Sequence, residues 1–98
     1  MIFLNKDKFV FRCASCGHLV HIPEDCLTQQ EEVEDRNMGK KINLYFSVEY
    51  TCQCGNELKV TGDATEYPVG VMEGEVDVAC HGCEQVGEKS NLVTVTLE

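Results

Sequence analysis

Basic residues are scarce in this chain: eight lysines and arginines stand against seventeen acids, giving a formal net charge of −9 over 98 residues. Proteins that grip phosphate backbones carry a basic stripe. The two basic groups present, Lys6/Lys8/Arg12 and Arg36/Lys40/Lys41, are small and lie amid acid, so general nucleic-acid binding is disfavoured. No stretch approaches the roughly 20 apolar residues of a membrane span. The start, Met1-Ile2-Phe3-Leu4-Asn5-Lys6-Asp7-Lys8, has no basic leader followed by an apolar run and a small-residue cleavage site, so a cytoplasmic rather than a secreted protein is expected. Tryptophan is absent and prolines number two. No long helical periodicity, glycine-rich phosphate loop, nucleophile motif or low-complexity tract is present. Enzyme activity is not expected.

Cysteine, by contrast, is plentiful at seven residues. A chain of this length forms one domain, residues 1–98, whose core alone gives modest stability. Small domains of this kind often add a disulfide or metal staple. An odd cysteine count fits a complete disulfide framework poorly. Without a secretory leader, a metal staple in a reducing compartment is the better reading.

The chain reads as a small all-β protein. Between Lys41 and Thr51, Ile42, Leu44, Phe46, Val48 and Tyr50 fall on one face, and Asn43, Tyr45, Ser47, Glu49 and Thr51 on the other. This period of two predicts a long strand with one buried face. Lys8–Arg12 and His18–Ile22 predict a hairpin, and Pro23-Glu24-Asp25 a short helical turn. Residues 28–39, polar and acidic with little apolar periodicity, are expected to be a solvated loop or short helix. Gly62 to Gly74 reads as a loop, Glu75–Ala79 as a strand, and Asn91–Leu97 as a closing strand. That gives about six strands, with a core at residues 8–61 and C-terminal strands over 75–97.

The chemistry concentrates where strands meet cysteines. Cys13-Ala14-Ser15-Cys16-Gly17 and Cys52-Gln53-Cys54-Gly55 each present two sulfurs in a strand-flanked turn followed by glycine. Glycine there permits the left-handed backbone such a turn requires. Cys80-His81-Gly82-Cys83 is a third pair, able to replace Cys52/Cys54 or to nucleate a second site. Closed thiolate sites suit structural Zn2+, whereas a catalytic zinc keeps an open position. Cys26 is expected to be a small buried apolar residue. His18 and His21, three positions apart on one strand, face opposite sides.

The two turns and their flanking strands over about residues 8–61 resemble a zinc ribbon, in which two knuckles share one metal. The resemblance implies a structural Zn2+ site at Cys13, Cys16, Cys52 and Cys54. Arg36-Asn37-Met38-Gly39 and Glu66-Tyr67-Pro68-Val69-Gly70 are similar to zinc-ribbon segments that accompany bacterial nucleases and defence proteins. The ribbon architecture serves many functions. The expected function is a protein-interaction or regulatory accessory module, with an acidic surface for a basic partner and possible nucleic-acid mimicry. The terminal strand Asn91–Leu97 offers an edge for homodimer formation. The alternative is nucleic-acid binding beside the first knuckle.

Overall fold

The computed structural model describes residues 1–37, 39–68 and 70–97. Among them lie nine strands: β1 (Ile2–Leu4), β2 (Val10–Cys13), β3 (Leu19–His21), β4 (Leu27–Arg36), β5 (Gly39–Thr51), β6 (Glu57–Glu66), β7 (Met72–His81), β8 (Cys83–Gln85) and β9 (Val93–Val95). The only helical pieces among the described residues are 3-10 turns at Lys6–Lys8, Glu24–Cys26 and Lys89–Leu92. None is long and apolar enough to cross a membrane.

The alternating strand behaves as its sequence dictates. Leu44, Phe46 and Val48 of β5 are buried, Ile42 and Tyr50 partly so, while Tyr45, Glu49 and Thr51 face solvent. It lies inside an antiparallel sheet of order β4-β5-β6-β7. A second sheet has the order β3-β2-β8, and β1 pairs with β9. The core gathers side chains from all three sheets, including Leu4, Phe11, Val20, Leu58, Val60 and Leu92. Phe9 meets Phe11 and Phe46 edge-to-face, with centroids 6.2 and 5.5 Å apart, an arrangement that suits the ring quadrupoles. Glu66 is the one buried charged side chain among the described residues. Its carboxylate accepts hydrogen bonds from the Met1 ammonium (2.6 Å) and the Gly70 amide (2.7 Å).

Several elements differ from the sequence reading. Residues 27–36 form neither loop nor helix but the strand β4, paired with β5 from Leu27↔Val48 to Arg36↔Gly39. All of β4 after Leu27 is exposed, so neither face needs apolar residues and no periodicity marks it. Main-chain pairing along its whole length holds it instead, with Glu34 bonded to Arg36 on its own strand. The expected loop from Gly62 is largely strand, since β6 runs to Glu66 and β7 starts at Met72. The closing strand is shorter than Asn91–Leu97, because Lys89–Leu92 is a 3-10 turn and only Val93–Val95 pairs, against Leu4–Ile2. The segments Arg36–Gly39 and Glu66–Gly70 each include a residue, Met38 and Val69 respectively, that lies outside the described residues.

Candidate metal centre

Each knuckle forms where a hairpin turns. The antiparallel pair β2–β3 is joined through Cys13–Gly17, and β5–β6 through Cys52–Gly55. In the first turn the Gly17 amide donates to the Cys13 carbonyl (2.9 Å), and the Cys13 amide to the His18 carbonyl (2.9 Å). In the second, the Gly55 amide donates to the Cys52 carbonyl (2.8 Å), and the Cys52 amide to the Asn56 carbonyl (2.9 Å). Gly17 and Gly55 have φ of 74° and 91°, the left-handed region where glycine alone is unstrained. The Cys-x-Cys spacing thus folds into a turn closed much like the Cys-x-x-Cys one.

The two turns face each other and bring four thiols together. The sulfurs of Cys13 and Cys54 are 3.6 Å apart, and those of Cys16 and Cys52 are 3.7 Å apart. All four lie within 4.8 Å of one another. A tetrahedral ion with bonds of about 2.3 Å to sulfur requires sulfurs roughly 3.8 Å apart. The cluster therefore fits a four-coordinate thiolate-bound ion. Cys13 and Cys52 are buried and Cys16 and Cys54 exposed, so one side of the site rests on the core. None of the seven cysteines forms a disulfide.

Asn56, which no spacing rule singles out, ties three turns together. Its side-chain amide donates to the Cys13 sulfur (3.5 Å) and to the Gly82 carbonyl (2.8 Å), while its carbonyl caps the second knuckle. The Ala14 amide reaches the same Gly82 carbonyl at 3.1 Å. Donors aimed at sulfur favour thiolate. The amides of Cys16 and Ser15 and the Asn56 side chain, chief among them the Cys16 amide, lower the Cys13 thiol to about 6. Cys16 goes the other way, to about 12: the His18 amide favours its thiolate, but desolvation and the neighbouring sulfurs of Cys54, Cys52 and Cys13 outweigh it. Without an ion, four thiolates cannot share so small a volume.

Cys80 and Cys83 do not join this group. The strand β7 continues through Cys80 to His81, and Cys83 opens β8 directly opposite Cys13 of β2. The third pair therefore straddles a strand-to-strand bend rather than a hairpin knuckle. Burial raises both thiols, Cys83 to about 11, so each is held as an uncharged thiol. Cys26 is half-buried and packs against the core. His18, His21 and His81 are exposed and outside the cluster.

A second charged feature lies on the solvent face of the large sheet. Across the strands, Gln30, Tyr45, Asp63 and Asp77 stand in one row, and Glu32 and Glu34 project from the same face of β4. Burial and the adjacent Asp77 raise the Asp63 carboxyl above its ordinary range. Glu32, then burial, Asp63 and Glu34 raise the Tyr45 phenol. A shallow groove of about 430 Å³ runs between Tyr45, Asp63, Asp77 and Lys89.

Fold and site together define a small β-protein with four thiols gathered at metal-binding distance. The chain matches no protein-family model, no curated protein and no solved structure at a significant level.

Proposed function

We propose that the chain is a zinc-ribbon module in which Cys13, Cys16, Cys52 and Cys54 hold one structural Zn2+ and the acidic sheet face binds a basic protein, as an accessory or regulatory subunit. The metal half rests on the match between the sulfur spacing and a tetrahedral thiolate site. Four thiolates leave no open coordination position, which favours a structural over a catalytic role. A reducing, cytoplasmic setting keeps the four clustered thiols available to the ion. A second metal at Cys80/Cys83 has less support, since those sulfurs stay outside the cluster.

The partner half rests on the concentration of negative potential along the Tyr45–Asp63–Asp77 row: Glu32 above all disfavours the Tyr45 phenolate, and Asp77 adds to the burial that disfavours the Asp63 carboxylate. A cationic side chain in the adjoining groove relieves that potential. Four thiolates outweigh a divalent ion, adding about two negative charges to the chain. Acidic mimicry of a nucleic-acid backbone is a form of the same reading.

Elemental analysis of protein purified under reducing conditions should give one zinc per chain, and a folded, metal-free protein would refute the site. Polylysine should bind with an association rate that falls as salt rises, and duplex DNA should not bind at physiological salt. Tight, salt-sensitive binding of DNA would refute the partner reading.

A further inference from the structure

β4 ends the four-stranded sheet, and its outer side has no partner among the described residues. Ten residues, about 33 Å of strand, thus present a row of main-chain N–H and C=O groups to solvent. Such an edge is a template for another strand unless something blocks it. Most of the usual blocks are absent: β4 is ten residues long, contains no proline and pairs with β5 without a register break, so charge is the block it does carry.

What β4 does carry is acid on both faces. Glu32 and Glu34 project on the face shared with Tyr45, and Glu31 and Asp35 on the opposite face. An added strand would meet carboxylates whichever way its side chains point. A second copy of this chain is a poor occupant, because full antiparallel overlap of β4 with itself sets Glu31 against Glu32, and like charges directly opposed are destabilising. We infer that the free edge of β4 receives an extended, lysine- or arginine-bearing segment of the partner, which adds to the sheet as a fifth strand. This rests on the basic-partner reading above and specifies how such a partner engages. Main-chain hydrogen bonds supply affinity, and paired charges on both faces supply selection for a basic sequence. The segment need not alternate apolar and polar residues, since both faces of the extended sheet stay wet at this edge. Val33, exposed between Glu31 and Asp35, offers the one apolar contact along that face of the strand's outer half.

The test uses the zinc-loaded full chain and two synthetic probes. One is a ten-residue peptide alternating lysine and threonine; the other is identical but N-methylated at every residue, which keeps the charge and removes the main-chain donors along both edges. The unmethylated peptide should bind at low salt and slow the exchange of amide protons within residues 27–36 by at least tenfold. Methylation should weaken binding at least tenfold. Equal binding of the two peptides, or binding without protection of 27–36, overturns strand addition while leaving the acidic-face reading standing. Failure of both peptides to bind overturns the two together. A peptide-free dimer in sedimentation, with 27–36 protected, assigns the edge to a second copy and also overturns the proposal.

Discussion

At one end of β5 the chain turns through Cys52–Gly55 into a site where two hairpins meet, sulfur faces sulfur at 3.6–3.7 Å, and a neighbouring asparagine fastens a third turn. From Val48 to its other end at Gly39, roughly 40 Å of strand from the turn, β5 pairs with a strand whose every residue after the first is exposed. The molecule is accordingly long, 49 × 20 × 18 Å. The knuckle end draws its order from thiols and the core beneath them. The hairpin end draws its order from main-chain pairing to a sheet anchored elsewhere. The thiol cluster and the exposed acidic surface of β4 are thereby separated along a single strand.

Substitution can sharpen or break that contrast, and the largest effect is expected at the sulfurs. Cys16→Ser, or a strong chelator, should abolish cooperative thermal unfolding. Structural zinc is worth about 10–16 kcal/mol in small zinc peptides, against a stability of about 5–15 kcal/mol for a typical domain. A wild-type melting curve for Cys16→Ser would erase the distinction between the ends. Next comes Gly62→Ala, midway along β6. Its Cβ would stand within 3 Å of the Phe46 ring and the Asp77 carbonyl, and the backbone oxygen cannot yield as a flexible side chain could. Urea denaturation should show a loss of about 1–3 kcal/mol.

Asn56→Ala should cost about 0.5–1.5 kcal/mol by removing its hydrogen bonds to the Cys13 sulfur and to the Gly82 carbonyl, which keeps only the Ala14 amide. It should also weaken metal retention in chelator competition and speed amide exchange near Gly82, leaving residues 27–36 unchanged. A smaller and opposite change is expected of Asp63→Asn. The raised folded-state pKa of Asp63 means its carboxylate is disfavoured by folding, with the penalty complete above the folded value and absent below the unfolded one, roughly 3.9. The variant should therefore melt slightly higher than wild type at neutral pH, and the gain should shrink as pH falls toward the ordinary aspartate range. Least of all, Glu31→Gln on β4 should shift stability by no more than about 0.5 kcal/mol. A large loss there would mean the hairpin end contributes more to the fold than its exposure indicates.

How much of this could be read from the residues follows the same division. β5 was legible because one buried face forces alternation, and the two knuckles because sulfurs flanked by strands and followed by glycine admit few other conformations. β4 was not legible, since a strand wet on both faces obeys no periodic constraint and its pairing is a property of the main chain. Cys80/Cys83 has the same spacing as Cys13/Cys16, yet its sulfurs do not join the cluster. Spacing cannot tell whether two strands fold back as a hairpin or bend from one sheet to the next. Asn56 was hidden for a related reason: its role depends on Gly82, 26 positions away.

The sulfurs that meet are distant in the chain, with Cys13 and Cys54 separated by 41 positions and Cys16 and Cys52 by 36. Most of that interval is the β4–β5 excursion. Loop-closure entropy grows only logarithmically, so doubling the intervening length costs roughly 0.6 kcal/mol. Residues added or removed in pairs near the far end of the hairpin would leave strand register intact and barely alter the closure that brings the knuckles together. The excursion can thus be lengthened, shortened or recoded while the four thiols still converge at the same point.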